Sequence, residues 1–150
     1  MKLAEALQER ADLNRNIEQL RSRLINNVIV QENEKTAEDP DVLIKELDSS
    51  AERLEELIRR INHTNCATIS EGKSITELIA ARDTLKVKIT VYKDIVSNAS
   101  QTARRARMSE IKILSAVDVR KLQKKIDEMS KEFRVTDNRI QALNWSTELI

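Results

Sequence analysis

The chain has 150 residues, of which 40% are hydrophobic and 34% are charged, a composition that fits one soluble domain with a modest core. A single glycine and a single proline leave little material for strand hairpins or glycine-rich ligand loops, so we predict an all-α fold. The 26 basic and 25 acidic residues almost cancel, which argues against a dedicated nucleic-acid-binding protein.

Four segments carry apolar residues at alternating spacings of three and four, the pattern of coiled-coil helices. We predict helices at about 2–30, 41–65, 75–99 and 118–149, with an irregular crossover at about 100–117. In the second helix the predicted seam runs through Ile44, Leu47, Ala51, Leu54, Ile58, Ile61 and Asn65. Short connections would make two long antiparallel hairpins, which together form one elongated, coiled-coil-like four-helix bundle and a single domain over 1–150. In the alternative arrangement, each hairpin packs on another subunit.

Capping residues mark the predicted helix starts. Asp39 precedes Pro40, Ser74 with Glu77 forms a capping box next to Gly72, and Asp118 precedes the last helix. Asn26 and Asn27 are expected to end the first helix. The β-branched stretch SEIKILSAV, residues 109–117, is predicted to be extended.

Several apolar residues fall outside the predicted seams. They are Leu7, Ile25, Val28, Leu43 and Leu57. Apolar residues on the flank of a seam call for a further helical surface, so we expect a homodimer or a larger oligomer.

Polar residues are predicted to gather at one end of the bundle. Antiparallel pairing places two arginines at core positions near several amides and hydroxyls; the predicted cluster is Arg10, Asn62, Thr64, Asn65, Arg82, Asn144, Trp145 and Thr147. In one interpretation a carboxylate neutralises the arginines, and the polar layer fixes the helix register; the candidates are Glu5, Glu77, Asp83, Asp137 and Glu148. In the other, the arginines and the start of the third helix bind a small anion.

Trp145, the only tryptophan, falls on the side of its helix that faces away from the seam. We expect it to cover the NHTNCATISEGKS connection or a subunit interface, which would bury a large ring with one N–H to satisfy. The alternative is that it forms the wall of a ligand pocket.

No catalytic or metal-binding set is apparent. His63 and Cys66 are the only residues of their kinds, whereas tetrahedral zinc would need two more ligands, and a Cys/His nucleophilic pair would need an orienting group. We therefore expect no metal, no cofactor and no enzyme activity. The lone cysteine excludes an intramolecular disulfide, and no stretch is apolar enough for a signal or membrane-spanning segment. These features favour the cytoplasm and no membrane partner.

Several stretches together resemble a family of small bacterial proteins sometimes labelled septicolysin or septicolysin-like. They are LINNVIVQE, EDP, INHTN, ITELIAARDTLK, SEIK, VDVRKLQKKID and NRIQALNWSTEL, and they span nearly the whole chain. The resemblance implies an α-helical, coiled-coil-rich bacterial protein and supplies no catalytic residue.

Three functions are compatible with the sequence. The first is a non-enzymatic, self-associating helical scaffold or interaction protein. The second is a binding protein for a small anionic ligand at the Arg10, Arg82 and Trp145 end. The third is a membrane-active lysin, as the family label suggests, although the chain offers neither a continuous apolar surface nor strand-forming segments for lipid.

Overall fold

The computed structural model describes residues 1–101 and 111–150, and this part of the chain is dominated by four long helices. They are α1 (Leu3–Asn27), α2 (Pro40–Ala67), α3 (Ile75–Ala99) and α4 (Val119–Ser146), with the short strands β1 (Ile69–Ser70) and β2 (Lys73–Ser74) between α2 and α3. The helices pack in pairs, α1 with α2 and α3 with α4. The predicted all-α class is confirmed.

The contacts within each pair run in opposite directions along the two helices. Going up α1, Glu9 meets Arg53, Asn16 meets Ser50 and Arg23 meets Glu46, so the α2 partner numbers fall as the α1 numbers rise. In the other pair, Arg82 of α3 contacts Asp137 of α4, and residues 86–93 of α3 share a groove with residues 130–134 of α4, so the partner numbers again fall. The two antiparallel hairpins predicted from the short connections are therefore present.

The chain forms two compact units. The first contains Met1–Ile69 and Leu143–Ile150, and the second contains Ser70–Ala142. Each unit is described by itself below, and the prediction of one domain over 1–150 stays a prediction.

The buried seam of α2 differs from the predicted one at every second position. Leu43, Ser50, Leu57 and Thr64 are buried, whereas Ile44 and Ile58 are 44% and 41% exposed. The predicted seam positions Ile44, Ala51, Ile58 and Asn65 are thus wrong by one residue, while Leu47, Leu54 and Ile61 are shared by both patterns. Leu43 and Leu57 lie in the core of the chain, so they do not call for a second subunit.

The buried seam includes a polar residue whose hydroxyl has a partner. Ser50 is buried in this seam, although the pattern of apolar residues favours its neighbour Ala51. In the structure Asn16 of α1 donates a hydrogen bond from Nδ2 to Ser50 Oγ over 3.4 Å. This partner removes the cost of burying an unpaired hydroxyl.

The predicted caps are confirmed. Asp39 accepts a hydrogen bond from the Asp41 backbone N–H (2.9 Å), and Asp118 accepts one from Lys121 N (2.9 Å). At the start of α3, Ser74 Oγ accepts from Glu77 N (3.2 Å), while Ser74 N donates to the Glu77 carboxylate (2.7 Å). These bonds satisfy backbone donors that have no partner inside the helix.

Helix α1 ends at Asn27, which confirms the role predicted for Asn26 and Asn27 and lies three residues before the predicted bound of about 30. The Asn27 side chain is buried, donates to the Arg23 carbonyl (2.8 Å) and accepts from Glu38 N (3.0 Å), which ties the following loop to the helix end. Val28–Val30 then leaves the helix as an exposed β-branched run. Of the predicted crossover 100–117, residues 102–110 lie outside the described part, and residues 111–117 are irregular.

A tight turn joins β1 to β2, a small hairpin that the composition did not predict. Glu71 and Gly72 have φ angles of 45° and 79°, as the central residues of a type I′ turn require. Arg139 of α4 holds the turn, donating to Ser70 Oγ (2.9 Å) and pairing with Glu71 (2.8 Å).

Candidate functional site

The predicted polar cluster is divided between the two units. Seven of its residues lie in the first unit, namely Arg10, Asn62, Thr64, Asn65, Asn144, Trp145 and Thr147, whereas Arg82 lies in the second. An anion site that combines Arg10 with Arg82 therefore stays a prediction. Within each unit the surroundings of these side chains are well defined.

Thr147 lies where the two ends of the chain pair. Leu3 N donates to the Thr147 carbonyl and Leu149 N to the Met1 carbonyl, both over 2.9 Å, and Lys2 pairs with Glu148 as an antiparallel bridge. We call residues 1–3 and 147–150 together the terminal clasp. Thr147 thus acts through its backbone, in a structural contact.

Thr64 holds the terminal clasp from the side of α2. Its fully buried hydroxyl accepts a hydrogen bond from Ile150 N (3.0 Å) and donates to the Arg60 carbonyl (2.9 Å). The Arg60 guanidinium donates to the carbonyls of Ile150 (3.1 Å) and Leu149 (3.3 Å). The Thr64 hydroxyl and the Arg60 guanidinium therefore both have hydrogen-bond partners within the chain.

Glu148 carries the charge pairs of the terminal clasp. Its carboxylate lies 2.6 Å from Lys2 Nζ and 3.1 Å from the N-terminal ammonium of Met1. The hydrogen bond from Lys2, followed by that from the ammonium, lowers the pKa of Glu148. Because the side chain is largely exposed, this pairing is screened by solvent.

Trp145 is 63% exposed, so the prediction that it covers the connection after α2 is wrong for the single chain. The neighbouring Asn144 points inward instead and is only 8% exposed. Adjacent residues of a helix point about 100° apart, so both cannot face the core. Of the remaining cluster members, Asn62 is exposed and Asn65 is half-buried.

Arg82 is neutralised by two carboxylates. Its side chain, 24% exposed, donates to Asp83 (2.9 Å) and to Asp137 (3.0 Å). Burial lowers the pKa of Arg82, but the hydrogen bonds to Asp83 and Asp137 outweigh it, so the pKa is raised overall. The interpretation in which carboxylates pair with the core arginine is confirmed for this residue.

Arg10 has a different environment. It is half-buried on α1 and forms no ion pair with a carboxylate in the described ranges. Its carbonyl accepts a hydrogen bond from Asn14 Nδ2 (2.9 Å). The arginine that pairs with a carboxylate of α1 is instead Arg53 of α2.

Arg53 forms an ion-pair network that the sequence interpretation missed. Its guanidinium binds Glu9 of α1 in a two-point contact (2.7 and 3.0 Å) and Glu56 one turn along α2 (2.7 Å). These hydrogen bonds raise the pKa of Arg53 and, on the other side, lower that of Glu56. The spacing of Arg53 and Glu56 was a visible signal, because residues three apart are neighbours on a helix.

Helix α3 has apolar side chains on two faces. One face, with Leu85, Ile89, Tyr92 and Val96, is half-buried in the hairpin. On the other, Val87, Val91 and Ile95 are 64%, 49% and 38% exposed. These three residues are four apart and form one line along the helix, which we call the α3 outer stripe.

The described residues contain neither a metal-binding group nor a membrane-spanning helix. This part of the chain contains no group of three or more His, Cys, Asp or Glu side chains placed to hold a metal ion. His63 and Cys66 are both exposed on α2. None of the described helices combines the length and the apolar character needed to cross a bilayer.

Comparison with known proteins places the chain in a family. A family model described as a "Family of unknown function (DUF6847)" matches residues 10–149. The chain belongs to the DUF6847 family. None of the curated proteins searched matches it.

A solved structure closely resembles this DUF6847 protein. It is the crystal structure of a functionally unknown conserved protein from Corynebacterium diphtheriae, with 40% sequence identity and a TM-score of 0.91. The match covers 100% of this chain and 99% of that one. The similarity extends over the whole sequence, and neither description names an activity.

Proposed function

We propose that this DUF6847 protein is a non-enzymatic, self-associating helical interaction protein, and that the α3 outer stripe contacts a second copy of the chain. The observation that carries the proposal is the distribution of apolar residues on α3. Beyond Leu78 no residue of α3 is buried, although the helix continues for five further turns with apolar side chains on both faces. A helix that is apolar on two faces is normally covered on both.

A copy of the same chain would supply a matching apolar surface. An antiparallel two-fold contact centred on Val91 would bring the α3 outer stripes of the two copies together. Such an isologous contact would join three apolar side chains from each copy.

Sedimentation analysis of stripe variants tests the proposal. Val91→Lys puts a charge into the middle of the stripe, where burying it without a partner is costly. We expect the wild-type protein to sediment as a dimer or larger, and the variant to sediment as a monomer of 17.2 kDa. Helix content measured by circular dichroism should be the same for both.

Val42→Lys is the matched control. Val42 is also helical and 58% exposed, but it belongs to α2 and not to the α3 outer stripe. We expect this variant to keep the wild-type mass. A monomeric wild-type protein would contradict self-association. An equal loss of sedimentation mass in both variants would contradict the choice of α3.

The other functions considered have less support. Asp83 and Asp137 already neutralise Arg82, which weakens the case for a small-anion site at the Arg10, Arg82 and Trp145 end. The membrane-active role suggested by the septicolysin-like resemblance needs a lipid-facing surface, and no described helix has spanning character. A cytoplasmic location, also part of the proposal, is supported by the single cysteine.

A further inference from the structure

The second unit contains a groove between its two long helices. Its volume is about 340 Å³, and its lining residues are Lys86, Ile89, Thr90, Lys93, Ser130, Phe133 and Arg134. Four of them belong to α3 and three to α4. None of them belongs to the polar cluster predicted from the sequence.

The floor of the groove is apolar and its rim is basic. Ile89 and Phe133 are half-buried side chains of the helix seam, whereas Lys86, Lys93 and Arg134 are exposed. Lys86 and Lys93 are seven residues apart on α3, about 10.5 Å at a rise of 1.5 Å per residue. The cations therefore stand along the length of the floor.

The three cations of the rim have no carboxylate partner in the part of the chain that the structure describes. Within residues 1–101 and 111–150, Lys86, Lys93 and Arg134 form no ion pair with a carboxylate. Arg82, one turn before Lys86, contrasts with them because it is paired with two aspartates. Three like charges around one groove produce a local positive potential that an anion would relieve.

We propose that this groove binds a free organic carboxylate with a flexible apolar chain. Lys and Arg side chains bind carboxylates through charge-assisted hydrogen bonds, and the Ile89 and Phe133 floor removes an apolar chain from water. The volume lies at the lower end of the range of about 300–1,000 Å³ that is usual for small-molecule sites. The size therefore fits a chain of modest length.

The groove is separate from the self-association surface. Its α3 residues Lys86, Ile89 and Lys93 are on the side of the helix that meets α4, whereas Val91 lies on the opposite side. The ligand proposal therefore does not depend on the proposed function. Both can be tested on the same intact chain.

Calorimetric titration with decanoate, below its micelle concentration, tests the groove. We expect saturable binding with one decanoate per chain, and much weaker binding of decanol, which has the same chain and no charge. The double variant Lys93→Glu with Arg134→Glu should weaken decanoate binding at least tenfold, because two attractive charges become repulsive.

The control is Lys124→Glu with Lys131→Glu, which makes the same charge change in the same unit at exposed positions outside the groove lining and outside the α3 outer stripe. We expect its affinity to stay within twofold of wild type.

The proposal is overturned by absence of saturable binding, by equal weakening in both double variants, or by equal affinity for decanol. Displacement of decanoate by inorganic phosphate at equal concentration would also overturn it, since the apolar chain would then contribute nothing. A change of sedimentation mass in the groove variants, without a change in decanoate affinity, would assign the groove to a subunit contact instead.

Discussion

Trp145, the only tryptophan of the chain, is exposed. A buried ring would have explained the only tryptophan through stability, but the side chain lies on the outer side of the last helical turn. Stability of the single chain therefore gives no reason for a large aromatic residue at this position. A contact with another molecule would give one, so the subunit-interface part of the prediction stays open for Trp145.

Replacing Trp145 with alanine should change the free energy of unfolding by less than about 0.5 kcal/mol, as is usual for surface substitutions. The native protein should already show the red-shifted indole emission of a ring in water, measured at a concentration where the chain is monomeric. Chemical denaturation gives the free energy. Blue-shifted native emission, or a loss of several kcal/mol, would contradict the exposed position.

The terminal clasp should respond to pH through Glu148. Its pKa is lowered from an ordinary value of 4.5, so its pairing stabilises the fold above that value and is lost as the pH falls through the lower, folded-state pKa. The wild-type protein should therefore be more stable than Glu148→Gln at neutral pH, and this difference should shrink in acid. Melting temperatures across pH measure it, with Glu132→Gln as an exposed control. A difference that does not change with pH would contradict the charge pairing.

At the scale of the element, α2 explains where the sequence interpretation succeeded and where it failed. The period of three and four correctly predicted a helix, because apolar residues at this spacing share one face. It could not choose between the seams through Leu57 and Ile58, since both positions are apolar and adjacent. The seam that forms contains Ser50, paired with Asn16 of α1, and such a contact between helices is not contained in the pattern of one helix.

The register of α2 can be tested with two neighbouring residues. Leu57→Ala should cost about 2–5 kcal/mol of stability, because Leu57 is fully buried and its loss leaves a cavity. Ile58→Ala should cost clearly less, since Ile58 is 41% exposed. Urea denaturation of both variants measures the difference. If Ile58→Ala cost more stability than Leu57→Ala, the seam predicted from the sequence would be correct.

The capping box at the start of α3 gives a second test at this scale. Ser74→Ala removes the acceptor for Glu77 N and should cost about 0.5–2 kcal/mol. The pKa of Glu77 is lowered first by the Ser74 backbone N–H, which alanine keeps, and then by the Ser74 hydroxyl. It should therefore rise only part of the way in the variant, as carbon-detected NMR titration can measure. Ser97→Ala, at an exposed position inside the same helix, should be neutral. A neutral Ser74 variant would mean that the cap contributes nothing.

For the whole molecule, the helices were predictable because their signals are local. Periodicity, Asp39, Ser74 and Asp118 determine where helices start without reference to the rest of the chain. The candidate site was less predictable, because it depends on which face each residue takes and on which charges find partners. Arg82 is a weaker candidate for an anion site because two aspartates already pair with it. Lys86, Lys93 and Arg134 line one groove only because α3 packs against α4.

Self-association through α3 is the central claim at this scale, and hydrogen exchange at two widely separated protein concentrations tests it most directly. A second copy on the α3 outer stripe should stabilise that helix, so amides in residues 84–98 should exchange more slowly at the higher concentration. Amides in the middle of α1 should exchange at the same rate in both samples. Exchange in α3 that does not depend on concentration, in a protein that sediments as a monomer in both samples, would contradict the claim.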